Sequence, residues 1–521
     1  MRGFSFFCLV WLVFGVFEFA LQAQEGMEQT VGLFFNHSEQ SYNGYTLMAP
    51  MASNNTYLLD NCGELVHQWE SSALPGLGVY LLENGNLLRT ERILSTTFQA
   101  GGLGGRVKLM NWEGETVWSH IFATDSTHQH HDVEYLPNGN ILVVLWERKT
   151  MQQALDAGRN PITFANQVWS DYLIEIQPIG EDDYEIVWEW HAWDHIIQAY
   201  DSTKTNYGIV GNHPELIHLN YVSSTVNPDG TNSNPDWHHI NTITYNESLD
   251  QIMLSVRNFD EIWVIDHSTT SEEATGHTGG LYGRGGDLLY RWGNPMTYQR
   301  GTAADKRCFG QHDAQWIPEN YPNAGKIVLY NNGNGRPNGA YSTVEIISPP
   351  MDAGGNYFIG ITTAFLPFSA EWSYGAGASD LSFYSQNTSG AHPQPNGNLL
   401  VCEGQEGHLF EVTIGKDVVW DYVNPVGPGT PTTQGNAPSI NSLFRVYRYG
   451  ADYAAFEDKD LVPIAPLELE PLQSNCEIPT SIEEQHTSSF DINIAPNPAN
   501  NVFYVTLDFS INPINPPKTI R

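Results

Sequence analysis

One pattern returns along most of this 521-residue chain: a tight turn, an apolar strand, a polar turn, and a strand that closes on tryptophan. The turn "NGN" stands at 84–86, 138–140 and 396–398, where Asn-Gly suits the positive φ angles of a tight hairpin. The strand-closing residues are Trp69, Trp118, Trp188, Trp292, Trp372 and Trp420, in segments such as "GETVWSH", "YEIVWEW" and "KDVVWDY". Six such ends predict an all-β fold, a six-bladed β-propeller. Their uneven spacing suits a propeller with long insertions better than a solenoid. Nearly all of these indoles are expected to pack between neighbouring sheets. Composition agrees, since 47 glycines, 30 prolines and only 16% charged residues are what many short strands and tight turns require. With 23 basic against 59 acidic residues and no Lys/Arg cluster, nucleic acid is excluded as a partner.

In a propeller the first strand of each blade lines the central channel, so polar residues at the start of several such strands converge. Histidines fall there: His131 in "HHDVEYLPNGN", His239 in "DWHHINTITY", His312 in "QHDAQW" and His392 in "AHPQPNGN". Strand alternation puts His239 and Asn241 on one face with Ile243 and Tyr245, and His238 with Thr242 on the other. The doublets His130/His131 and His238/His239 leave the register open by one residue. If the turn after this strand centres near Ser248, His239 and Arg257 are cross-strand neighbours. Arg257 then either joins the histidines or pairs with a local carboxylate such as Asp260. Three imidazoles and a guanidinium around one cavity suit an anion with several oxygens, and Asn241 adds an amide donor. Transfer of a sulfuryl or phosphoryl group needs such a donor set with an in-line nucleophile. No P-loop or HExxH motif is present, and neither cofactor nor metal is expected.

The N-terminus, "MRGFSFFCLVWLVFGVFEFALQAQ", reads as a secretory signal ending near Ala23, with the mature protein exported. Cys62, Cys308, Cys402 and Cys476 are too scattered for a zinc motif; in an oxidising compartment they allow disulfides that sequence does not pair. Residues 451–487 have the Pro/Glu/Ser composition of a linker. The insertions around 147–235 are expected to shape the channel entrance.

The string "DWHHINTITYNESLDQIMLSVRNFDEIWVID", with "YRWG", "FGQHDAQW", "KIVLYNNGNGR" and the closing "SGAHPQPNGNLLVCEGQEGHLFEVTIGKDVVWDYVNP", resembles the bacterial, nucleotide-independent arylsulfotransferases over residues 45–450. The resemblance implies a six-bladed propeller and sulfuryl transfer from an aryl sulfate donor to a phenolic acceptor, without adenylyl sulfate. It implies His312 as the nucleophile that becomes sulfated, with His239, Arg257 and Asn241 holding the sulfate and His131 as a further channel residue. His392 has no counterpart in that scheme and is read as structural. The tail "FDINIAPNPANNVFYVTLDFS" resembles the opening of a type IX secretion sorting domain of the Bacteroidota, which implies secretion machinery as a partner. The resulting division is signal peptide 1–23, propeller 24–450, linker 451–487 and partial sorting domain 488–521, with a periplasmic, cell-surface or extracellular location. Two rival readings stay open: a non-catalytic propeller binding a sulfated or carboxylated ligand, and a hydrolase or lyase that uses the histidines with a metal.

Overall fold

The tryptophan pattern translates directly into architecture. In a computed structural model, which describes residues 28–163, 166–222, 235–375, 377, 382–472 and 476 and the backbone of 492–496 and 503–507, the chain forms six antiparallel sheets of four or five strands. They are the six expected blades, with inner strands Val446–Gly450, Pro75–Leu81, Thr127–Tyr135, Ile240–Asn246, His312–Trp316 and Gly390–Pro393. Their fourth strands are Leu65–Trp69, Thr116–Ile121, Asp183–His191, Tyr290–Trp292, Trp372–Tyr374 and Val418–Val423, and each contains one of the six tryptophans. The three "NGN" turns join first to second strands in blades 2, 3 and 6, with Gly85, Gly139 and Gly397 at φ of 83°, 88° and 89°. In each, the side-chain oxygen of the first Asn accepts the backbone N–H of the second, at 3.0, 2.9 and 3.1 Å, which fixes the turn locally.

Each tryptophan also binds its own blade to the next. Its indole N–H donates to the connection between the third and fourth strands of the following blade or, for Trp118, to the first residue of the fourth strand: Trp69 to the Asn111 carbonyl, Trp118 to Asp183, Trp188 to Thr269 Oγ1, Trp292 to Pro367, Trp372 to Ile414 and Trp420 to Asn61. These distances run from 2.7 to 3.1 Å, and the last bond joins blade 6 to blade 1. The repeated tryptophan thus has a reason in physics: a large ring fills the wedge between sheets while its N–H finds the acceptor that burial demands.

Both ends of the propeller sequence close the ring. Val446–Gly450 pairs antiparallel with Gly44–Met48 as the inner strand of blade 1, and Gly32–Asn36 adds a fifth strand to the outer edge of blade 6. The residue before the closing strand, Arg445, reaches across the channel to Asp132 Oδ2 at 2.8 Å and Asp313 Oδ1 at 3.0 Å, on the inner strands of blades 3 and 5. All three side chains are buried.

Two expectations change. The linker expected over 451–487 is, as far as residue 472, part of the propeller surface. Ala455 and Phe456 are buried against blade 1 and blade 2 residues, Pro466 bridges Glu64, and Cys476 is disulfide-bonded to Cys62. Proline content suggested an open linker, but the apolar residues between the prolines found a sheet to cover. The stretch 147–235, expected to hold insertions, also contains the two outer strands of blade 3, Gln167–Ile179 and Asp183–His191. Cys308 and Cys402 are free and buried. The expected signal segment lies outside the described residues. A second unit, residues 478–521, holds one antiparallel strand pair, Ile492–Pro496 with Phe503–Leu507. No helix of the described residues is long and apolar enough to cross a membrane.

Two stability measurements follow. Arg445→Met leaves two buried carboxylates without their cation and is expected to cost about 3–5 kcal/mol in denaturant unfolding. Cys476→Ser opens a closed loop that spans nearly the whole propeller, and a loss of about 2–4 kcal/mol is expected, matched in the parent protein by reduction and absent on reducing the variant.

Candidate functional site

A regular strand cannot turn two consecutive histidines to useful and different tasks without a local irregularity, and the inner strands supply one. Register shifts interrupt the pairing of the first and second strands in blades 3, 4 and 5. His131 and Asp313 lie within two of these slips and His239 just before the third, with left-handed φ values of 52° for His131 and 57° for both Asp313 and His239. Each such residue costs on the order of 1–3 kcal/mol, and bulges of this kind commonly re-aim side chains. Here they separate the doublets. His130 and His238 turn into the wall between blades 3 and 4, where both meet Asp171: His130 Nε2 lies 3.2 Å from its Oδ1, and His238 Nδ1 accepts its backbone N–H at 3.1 Å. His130 also stacks on Trp146, with ring centroids 4.0 Å apart. His131 and His239 meet in the channel, edge to face, at a centroid separation of 4.5 Å. The second member of each doublet is therefore the channel histidine.

The hairpin bearing His239 shows how a bulge can preserve one expectation and spoil another. Pairing runs from Asn246 opposite Gln251 to Thr242 opposite Ser255, then slips by one so that Ile240 faces Val256. That slip brings Arg257 opposite His239, whose carbonyl accepts the Arg257 N–H at 3.3 Å, as the hairpin count predicts. The same slip removes Asn241 from the regular alternation. Asn241 is fully buried and its Nδ2 donates to the Gln311 carbonyl at 2.8 Å, so it braces the residue before His312. Arg257 does not pair with Asp260, which is held instead by Lys306 Nζ at 2.5 Å and by the Gly310 N–H at 2.6 Å. Among the described residues its guanidinium has no carboxylate partner, only a 3.2 Å bond from Nη1 to Asn258 Oδ1.

His312 is the most constrained of the four. Its Nδ1 lies 2.8 Å from Asn332 Oδ1 and 3.0 Å from the Gly310 carbonyl, both acceptors, so Nδ1 carries the proton. The amide of Asn332 cannot flip to offer a donor, because its Nδ2 is committed to the carbonyls of Ser385 and Thr388. The lone pair of a neutral ring is then on Nε2, which makes no hydrogen bond among the described residues. Burial first, and then the charge of Arg257, push the His312 pKa down to about 3, against the opposing effect of the Asn332 bond. Burial also holds His131 well below the ordinary imidazole value, with His239, His130, His312 and Arg445 adding to it. His239 is anchored from the other side, its Nδ1 2.5 Å from Asp236 Oδ2, while Trp146 Nε1 fixes the second oxygen of Asp236 at 3.0 Å.

Beyond the histidines lies the ion-pair layer. Asp132 follows His131 and Asp313 follows His312, and Arg445 joins these two carboxylates to each other and to the Asn241 carbonyl at 3.1 Å. Phe444 sits beside the histidines, its centroid 6.0 Å from that of His131 and 6.3 Å from that of His312. His392 belongs to this deeper layer, with Nε2 3.1 Å from Asp313 Oδ2 and Nδ1 accepting from Gln315 Nε2 at 3.0 Å. It also lines a separate cavity of about 760 Å³, at the channel end formed by the strand 1–2 turns, with Tyr80, Tyr447 and Tyr449. A glycine-rich segment, "GGLGG" at 101–105, presses on the histidines from blade 2. A Cβ on Gly102 would lie 1.8 Å from His131 Cε1, and the Gly102 carbonyl accepts the His131 N–H at 2.7 Å.

Asn332, Asp236, Gly102, Phe444 and Arg445 are absent from the sequence reading. Signals existed for some of them: the "NNGNGR" string contains Asn332, the glycine run marks a close backbone approach, and an aspartate follows the channel histidine in both "HHD" and "QHD".

Similarities to solved structures are remote. A Bacteroides caccae protein of unknown function is 11% identical with a TM-score of 0.40, covering 78% of this chain and 99% of its own. The Myceliophteria thermophila Cps50 (Swd1) β-propeller domain is 10% identical with a TM-score of 0.37 and coverages of 82% and 94%. A putative 6-phosphogluconolactonase from Bacteroides fragilis is 10% identical with a TM-score of 0.36 and coverages of 79% and 99%. No curated protein matches the chain at a significant level. The sequence does match the arylsulfotransferase (ASST) family over residues 23–420, more than half of its length, and the chain therefore belongs to the arylsulfotransferase family.

Proposed function

We propose that this protein transfers a sulfuryl group from an aryl sulfate ester to a phenolic acceptor in two steps, through a sulfohistidine at His312 and without an adenylyl sulfate donor. One observation carries the reading: the imidazole is locked in the Nδ1–H tautomer by Asn332 and Gly310 and is kept neutral by burial, so its Nε2 has a lone pair at working pH. In the first step Nε2 attacks sulfur, the bond from sulfur to the aryl oxygen breaks, and the phenolate leaves and takes up a proton. In the second an acceptor phenol gives up its proton, its oxygen attacks sulfur, and the N–S bond breaks. His239, whose Nδ1 is engaged by Asp236, has Nε2 left to carry these protons. Arg257, free of any carboxylate among the described residues, and His131 are the donors for the sulfuryl oxygens as charge builds on them. Asn241 acts in this scheme by positioning the chain before His312. Export is part of the proposal, supported by the apolar N-terminus and by a disulfide that an oxidising compartment favours.

Rapid mixing with p-nitrophenyl sulfate and no acceptor is expected to release one p-nitrophenol per enzyme, and His312→Ala is expected to lose the burst and at least about 10³-fold in turnover. Tight sulfate-ester binding with no burst in the parent protein would favour the binding-module reading instead. Asn332→Ala frees the tautomer and is expected to lower kcat at least about tenfold with the fold intact. The pH dependence has a definite sign. The attacking form of His312 is the neutral one, present above its folded pKa of about 3, so the burst rate should hold as pH falls from 8 to 5. A decline centred near 6.5, the value of an unperturbed imidazole, contradicts the buried neutral nucleophile.

A further inference from the structure

We propose that His195, His277 and Asp287 bind a divalent transition-metal ion of the zinc type, on the flank of blade 4 and apart from the channel. The sequence reading expects no metal, and these residues stand in no zinc motif. They converge because the connection after blade 3 carries His195, in a 3₁₀ turn at Ala192–His195, while the long connection between the last two strands of blade 4 carries the other two.

One buried ring, that of His195, has a proton with a single possible place. His195 Nε2 lies 2.8 Å from the Ala274 carbonyl, which only accepts, so Nε2 must be the N–H. In a neutral imidazole Nδ1 then carries a lone pair, yet Nδ1 lies 2.8 Å from Asp287 Oδ1, an atom that is also an acceptor. His277 Nδ1 approaches the same oxygen at 2.8 Å. A lone pair facing a carboxylate at this distance needs a positive charge between or upon them. A metal ion supplies it with the ligand types zinc prefers, and an N–H bound to a backbone carbonyl is the usual outer partner of a ligating histidine. The three ligand atoms all lie within 4.8 Å of one another.

The pocket is built around that ring. His195 is fully buried and stacks on Trp190, with planes 5° apart, and Trp190 Nε1 donates to the Gly286 carbonyl at 2.7 Å. A Cβ on Gly286 would lie 2.5 Å from His195 Nε2, so only glycine lets the ring reach its carbonyl. The outer face is open. The His277 side chain is 59% exposed and borders a cavity of about 560 Å³, so it can swing to the ligand spacing of roughly 3.3 Å that tetrahedral zinc sets. Solvent completes the coordination. Bound metal would tie the insertion at 192–222 to blade 4.

The test uses the full-length protein, stripped with chelator, and zinc chloride alone. One tightly held zinc per chain is expected by calorimetry and by metal analysis after dialysis, with a rise in melting temperature. His277→Ala, on an exposed side chain, should fold normally, weaken zinc binding at least tenfold and abolish the thermal shift, and Asp287→Asn should do the same. His213→Ala removes a neighbouring imidazole that lies outside the trio and should change neither. Failure of the parent protein to hold one equivalent, or equal zinc binding by parent and His277→Ala, overturns the proposal and leaves the trio a hydrogen-bonded cluster.

Discussion

Closure of the ring is the constraint on which the rest depends. The inner strand of blade 1 comes from residues 446–450, almost the whole propeller sequence away from the strand it pairs with, Gly44–Met48. The chain cannot make that pairing without carrying Phe444 and Arg445 into the channel. Arg445 then ties together Asp132 and Asp313, each the neighbour of a channel histidine. Building the sheet and building the layer that supports the histidines are therefore one event. The tryptophan ring distributes the same closure around the circumference, because the bond from Trp420 to Asn61 exists only when blades 6 and 1 are adjacent. Each hydrogen bond adds only about 1 kcal/mol net, while loss of a buried indole costs about 3–5 kcal/mol, so packing holds the blades and the N–H fixes their register.

That rigidity lets the inner strands carry strain. Three non-glycine residues in the left-handed region, His131, His239 and Asp313, lie in or just before the register slips of the inner strands of three consecutive blades. On a free strand such conformations would relax. Here each is held between a paired second strand and a neighbouring blade, and the result is that adjacent side chains serve different regions. His130 and His238 share Asp171 in the wall, and His131 and His239 share the channel.

This explains which parts of the protein were legible in its sequence. The blades were legible because tryptophan recurs for a reason that repeats in every blade, and the "NGN" turns because glycine is needed at one backbone angle. The pairing of His239 with Arg257 was legible because hairpin counting survives a bulge when the bulge falls on the right strand. The facing of Asn241 was not legible, since alternation of faces assumes an unbroken ladder and the ladder slips at this residue. The doublets stayed open because their resolution depends on Asp171, which arrives from a strand some 67 residues before His238. Asn332 and Arg445 were hard to read for a similar reason: each acts through contacts to residues distant in sequence, which local composition does not name. The packing of 451–472, part of the linker expected over 451–487, is not legible from composition, which reports solubility, whereas a few apolar residues such as Phe456 decide whether a segment packs.

A chain with a formal charge of −36 must still offer an oxyanion a favourable place, and the way it does so is local. Four carboxylates near the channel histidines are already committed. Asp260 is taken by Lys306 and the Gly310 N–H, Asp236 by His239 and Trp146, and Asp132 and Asp313 by Arg445. Arg257 alone in this group keeps a guanidinium without a carboxylate partner. At separations of a few ångströms in a buried channel, one such cation outweighs many distant surface charges, which solvent and salt screen over about 8–10 Å. The same cation that would attract the sulfuryl oxygens also helps keep His312 unprotonated, so anion binding and nucleophile supply come from a single charge. Moving that charge to a lysine would retain its sign but lose the planar fork of donors, and a geometry shared among three oxygens and an attacking nitrogen depends on that fork.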